Sequence, residues 1–121
     1  MRFPKRRRQS GSKYKNTPLV SSGMKFDSVK EATRYRSLSL LQKAGVIQDL
    51  TRQVSFLLVP TQKNANGKTE VCVRYVADFV YMEKGCRVVE DVKSDVTRKL
   101  AVYIIKRKLM LQVFGITIRE V

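Results

Sequence analysis

The chain has 121 residues, a length that suits one domain with a modest core. Its 25 Lys and Arg against 10 Asp and Glu give a formal charge of +15, so the expected partner is a polyanion, most simply nucleic acid held through its phosphates. The absence of histidine excludes Ser-His and Cys-His hydrolases and nucleases built on a histidine base, and with only Cys72 and Cys86 no zinc ribbon or finger is expected.

Residues 1 to 25 carry Arg2, Lys5, Arg6, Arg7, Arg8, Lys13, Lys15 and Lys25, with no acid before Asp27. Self-repulsion and weak hydrophobicity predict a disordered basic arm there, followed by a folded domain over 26–121. The arm reads either as a solubilising tail or as a phosphate-binding segment that uses Arg6, Arg7, Arg8, Lys13 and Lys15 and orders on DNA.

The spacing of Val29, Ala32, Tyr35, Leu38 and Leu41 predicts a helix from Ser28 to about Ala44, stopped by Gly45. Val54 to Val59 reads as a strand ending at Pro60, and TQKNANGK as a turn-rich loop. A longer strand is expected over 70–81, with Val71, Val73, Tyr75, Phe79 and Tyr81 on one face and Cys72, Val76, Asp78 and Val80 on the other. A turn around Lys84 and Gly85 leads to a strand from Cys86 to Lys93, giving an antiparallel hairpin. Cys72 and Cys86 then fall beyond bridging distance and are expected as reduced thiols.

Ser94 or Asp95 can cap a second helix, whose stripe is Leu100, Tyr103, Ile104, Met110, Leu111 and Phe114 and whose stop is Gly115. The final strand is ITIREV. The expected fold is α/β of the α+β kind, ordered α-β-β-β-α-β, with a mixed sheet flanked by helices. No apolar run is long enough to cross a bilayer and no signal-peptide core is present, so the chain reads as soluble, intracellular and cytoplasmic, without a membrane partner.

The stretch VVEDVKSD, residues 88–95, places three charges at the end of an apolar strand. Asp91 and Lys93 share one face and Glu90 takes the other. A two-residue turn at Lys84-Gly85 sets Asp78 opposite Asp91; a three-residue turn sets it opposite Glu90, the second-choice acid. Facing carboxylates repel, and in half-buried surroundings a divalent cation is their natural partner. Oxygen ligands suit Mg²⁺, with Mn²⁺ as a substitute. Lys93 could orient water or offset charge developing on a phosphate, which together describes phosphodiester hydrolysis. The plainer reading is a solvated edge ion pair. The apolar neighbours Ala77, Phe79, Val88 and Val89 favour the metal site, because unpaired carboxylates are costly there.

Ser28 and Glu31 fit a capping box, in which Glu31 satisfies backbone donors at the helix start. Arg98, Lys99, Lys106, Arg107 and Lys108 surround the stripe of the second helix and read as contacts to the DNA backbone or as a solvated face. Gln53, at a strand entrance, could reach the acids but has no need to.

The order of elements, with Ala77-Asp78-Phe79 and then Asp91-Val92-Lys93 between a helix containing Glu31 and a basic helix, resembles the PD-(D/E)xK nuclease superfamily over about residues 26–121. The leading Pro of the motif is absent. FDSVKEATRY, the ADF segment and VVEDVKSD are similar to small phage-encoded endonuclease-like proteins, and the compact plan resembles that of Holliday-junction resolvases. The resemblance implies a restriction-endonuclease-like core in which Asp78 and Asp91 bind metal, Lys93 acts at the nucleophile and Glu31 adds an acid. It further implies action on branched or recombining DNA, as a dimer, in host cytoplasm if phage-encoded. RecB-like members carry Q-x-x-x-Y on the second helix; here Lys99 stands before Tyr103 at that spacing, and Tyr103 reads as core. A non-catalytic DNA-binding protein and an RNA-binding protein are the competing readings.

Overall fold

The computed structural model describes residues 19–21 and 24–121. Within the expected arm, the short strand β1 (Leu19–Ser21) pairs antiparallel with β2 (Met24–Phe26). Arg6, Arg7, Arg8, Lys13 and Lys15 lie outside the described residues.

Helix α1 (Val29–Lys43) starts where the sequence places its cap: Ser28 Oγ accepts the Glu31 N–H at 3.1 Å, and the Ser28 carbonyl accepts that of Ala32 at 3.1 Å. It ends in a Schellman-type turn, with the Val46 N–H on the Leu41 carbonyl at 2.9 Å and Gly45 at φ +81°. The covered stripe is narrower than expected. Ala32 and Leu38 are buried and Tyr35 half-buried, whereas Val29 and Leu41, in the end turns, are exposed. The Tyr35 ring packs 5.4 Å from that of Phe26.

Four strands form the main sheet: β3 (Gln48–Val59), β6 (Val73–Glu83), β7 (Cys86–Asp91) and β8 (Arg119–Glu120), in the spatial order β3-β6-β7-β8. The first three pair antiparallel and β8 runs parallel to β7, so the sheet is mixed and the fold is α+β, as expected. β3 begins six residues before the predicted Val54, because Gln48 to Gln53 pairs through its backbone without an apolar alternation to announce it. The predicted loop after Pro60 is itself a small hairpin of β4 (Gln62–Lys63) and β5 (Thr69–Glu70), and β6 starts only at Val73. Asn64 Oδ1 closes its tip by accepting the N–H groups of Asn66 and Lys68.

Lys84 and Gly85 connect β6 to β7 with φ of 52° and 76°, the paired left-handed conformation of a type I′ turn. The connection has two residues, so the register runs from Glu83↔Cys86 to Phe79↔Glu90. The register rejects the alternative in which Asp78 faces Glu90.

The predicted facing of β6 needs correction. Tyr75, Ala77 and Val80 all join one core cluster, which strict alternation forbids for Ala77 and Val80. The phase changes at Asp78, and the opposite strand changes with it: Gln53, between the partners of Ala77 and Phe79, has φ +52°. A left-handed residue reverses the facing of a strand, so both strands switch on the same rung.

The second helix is also divided. Ser94 caps a single turn, α2 (Asp95–Arg98), by accepting the Thr97 N–H; Leu100 is then extended, and α3 (Ala101–Phe114) begins afresh. That restart moves Leu100 off the stripe. Tyr103 and Met110, seven residues apart, are the buried pair; Leu109 packs beside them, while Leu111 and Phe114 are exposed. The core of the sheet packed on α3 comprises Phe56, Leu58, Tyr75, Ala77, Val80, Val89, Tyr103, Met110 and Ile118. Compactness divides the chain into one unit ending at Ser37 and another from Leu38 to Val121. Among the described residues no helix is long and apolar enough to cross a membrane.

Candidate active site

The paired ladder between β6 and β7 ends at Phe79↔Glu90, one residue short of Asp78 and of Asp91. Beyond it a side chain replaces the backbone ladder: Asp78 Oδ2 accepts the Val92 N–H at 2.8 Å. Its other oxygen, Oδ1, lies 3.4 Å from Gln53 Nε2, so the glutamine that marks the phase change reaches the acid. Asp78 is half-buried.

Asp91 is 1% exposed. Its Oδ2 accepts the Tyr75 hydroxyl at 2.5 Å and lies 3.1 Å from Lys93 Nζ. Burial, followed by the hydrogen bond and charge of Asp91, pushes the Tyr75 phenol far above its ordinary range, so it remains a donor. β8 secures the backbone here: the Val121 N–H donates to the Asp91 carbonyl at 3.0 Å and the Lys93 N–H to the Val121 carbonyl at 3.1 Å. Of the residues chosen from the sequence, Asp91 and Lys93 thus meet, and Asp78 binds the Val92 N–H between them in sequence, where the hairpin ladder opens.

Glu90 takes the other side of β7. It is fully buried, and its Oε2 accepts the Tyr81 hydroxyl at 2.5 Å; Arg119 donates to that hydroxyl at 3.0 Å and pairs with Glu83 at 3.5 Å. Glu31 belongs to the first unit and is 4% exposed, and its backbone N–H donates to Ser28 Oγ at 3.1 Å.

Lys93 Nζ sits 4.8 Å from the centre of the Tyr103 ring, a cation over an aromatic face. The Tyr103 hydroxyl donates to Glu120 Oε2 at 2.5 Å, and burial together with that bond raises the phenol well above its usual value. Glu120 gathers two of the basic residues assigned to DNA: Arg98 Nε at 3.8 Å and Arg107 Nη1 at 3.5 Å. The Tyr103 bond, and then the Arg107 guanidinium, hold its carboxyl below the ordinary value despite some desolvation. Lys99 is exposed at the end of α2, and Lys106 is half-buried on α3.

Sequence reasoning missed Tyr75 and Glu120. Tyr75 reads as a core aromatic because its ring is one, and only the fold aims its hydroxyl at Asp91. Glu120 stands in a short terminal strand whose position beside Tyr103 depends on the crossover through α3.

The donor set fits a small hard cation. Asp78 and Asp91 offer carboxylate oxygen only, and among the described residues no group of three or more His, Cys, Asp or Glu could hold a metal. Carboxylate oxygen suits a hard cation such as Mg²⁺, which commonly takes one or two carboxylates and keeps water or phosphate in its other positions.

A model of the family described as "Protein of unknown function (DUF1064)" matches residues 11–118. No curated protein and no solved structure matches the chain.

Proposed function

The chain belongs to the DUF1064 family, and from the residues themselves we propose that it is a Mg²⁺-dependent DNA endonuclease of the PD-(D/E)xK type. The observation that carries the reading is the buried Asp91, with Lys93 at 3.1 Å, just past the end of the β6–β7 ladder, where Asp78 binds the adjoining Val92 N–H. Asp78 and Asp91 would hold the ion, whose chemistry is to acidify water and neutralise a phosphate.

The remaining work belongs to the chain. The Val92 N–H and Gln53 fix the Asp78 carboxylate, and Tyr75 fixes that of Asp91. Lys93, 3.1 Å from Asp91, would offset the charge that gathers on the phosphate as water attacks and the P–O bond breaks. The excess of basic residues supplies attraction to the phosphodiester backbone. Branched or recombining DNA as substrate, paired action of a dimer and a cytoplasmic setting, the host's for a phage protein, complete the proposal; Mn²⁺ would substitute for Mg²⁺.

The test is cleavage of labelled four-way junction, duplex and single-stranded DNA with Mg²⁺ or EDTA, beside Asp91→Ala. The proposal requires metal-dependent cuts that the variant does not make. One observation favours a second reading, a DNA-binding protein without catalysis: Tyr75 and Lys93 already satisfy Asp91 Oδ2 without a metal. Tight DNA binding with no cuts on any substrate would select it.

A further inference from the structure

β6 extends back to Val73, but its pairing with β7 stops at Phe79. The stretch left beyond that point borders an open cavity of about 330 Å³, lined also by Lys93 and by the start of α3. Its wall has two chemistries. Arg74, Lys93 and Lys106 bring three cations, and among the described residues no carboxylate lines it. Val76, Leu100 and Val102 bring apolar surface that is exposed in the free protein. The rings of Tyr75 and Tyr103 complete the wall, while their hydroxyls are committed to Asp91 and Glu120.

We infer that this cavity is a nucleotide subsite that receives one unstacked, unpaired nucleotide beside the acid pair. The cations suit its phosphate, and the apolar and aromatic wall suits the face of its base. A free phosphate would leave that wall wet. A continuous duplex keeps its bases stacked and paired, so it presents backbone to a protein surface and cannot fill such a pocket without extruding a base. Lys93 is shared between the cavity and Asp91, so a nucleotide seated here brings its phosphate to the carboxylates. The inference rests on the nuclease reading for its consequence: DNA with an unpaired nucleotide next to the cut, as at a branch, gap or single strand, is the preferred substrate over continuous duplex.

The test is a titration of the isotope-labelled full chain in EDTA with dAMP and, separately, inorganic phosphate, followed through backbone amide resonances. The expected result is that dAMP shifts the amides of Leu100, Val102 and Lys106 and binds more tightly than phosphate. The double variant Arg74→Ala, Lys106→Ala should weaken dAMP by about tenfold or more, the scale of losing charge-assisted contacts. No pocket shift, phosphate binding as tightly as dAMP, or undiminished dAMP binding by a folded double variant would overturn the subsite. The titration contains no metal and no cleavable strand, so it stands apart from catalysis. Pocket binding of dAMP by a protein that cuts no DNA supports the subsite and sinks the nuclease reading. Cutting of continuous duplex as fast as a substrate with an unpaired nucleotide overturns the subsite and leaves the nuclease reading intact.

Discussion

Glu90 and Asp91 are neighbours on one strand, both buried, and the fold gives them opposite surroundings. Glu90 pairs across to Phe79 within the ladder, and its contacts with Tyr81 and through it Arg119 tie β6, β7 and β8 together. Asp91 stands one residue further, where the ladder to β6 has ended and the carboxylate of Asp78 takes the next N–H, that of Val92. Its ammonium partner, Lys93, borders a cavity large enough for a ligand. The difference teaches that burial of an acid does not by itself mark a site. What distinguishes Asp91 is an acid, Asp78, on the adjoining Val92 N–H, a cation shared with open space, and the end of the ladder to β6.

The largest effect that sharpens this contrast is on the reaction. Asp91→Ala should lower the rate of DNA cleavage by about a thousandfold or more while DNA affinity changes little, measured by single-turnover kinetics and by binding in EDTA. Glu90→Gln should keep cleavage per folded molecule within about threefold, since it touches no substrate in this account. Its cost falls on folding. Glu90→Ala, which also deletes the acceptor for Tyr81, should destabilise the protein by roughly 2–3 kcal/mol in urea denaturation.

Tyr75→Phe should cost less, about 1 kcal/mol, because it removes a single donor and leaves the ring in the core. The smallest effect concerns Glu120, whose folded carboxyl lies below its ordinary value of 4.5. A depressed carboxyl contributes stability that is present above the unfolded value and lost as pH falls through the folded one. Wild type should therefore lose more thermal stability than Glu120→Gln on acidification from about pH 5 to about pH 3. Equal losses would remove Glu120 from the acid response.

Much of the central hairpin is legible in the sequence because its causes are local. Lys84-Gly85 between apolar runs specifies a two-residue turn, the turn fixes the register, and the register leaves Asp78 and Asp91 just past the end of the ladder. The capping of α1 by Ser28 and of α2 by Ser94 is equally local. The facing of β6 is not. Gln53 adopts a left-handed conformation that glutamine does not advertise, and a reading by strict alternation places Val80 on the wrong side. The break at Leu100 is hidden for a similar reason, since leucine is a good helix former and its extended backbone is imposed by the surroundings. Contacts such as Tyr75 to Asp91 and Tyr103 to Glu120 join residues sixteen and seventeen apart, and no spacing rule anticipates them.

The most direct measurement of the central claim compares wild type, Asp91→Asn and Glu90→Gln in a Mg²⁺-dependent cleavage assay on labelled DNA carrying an unpaired nucleotide. The account predicts cuts by wild type and by folded Glu90→Gln, and none by Asp91→Asn. Cleavage that survives in Asp91→Asn, or that is lost equally in both variants while each remains folded, would contradict it.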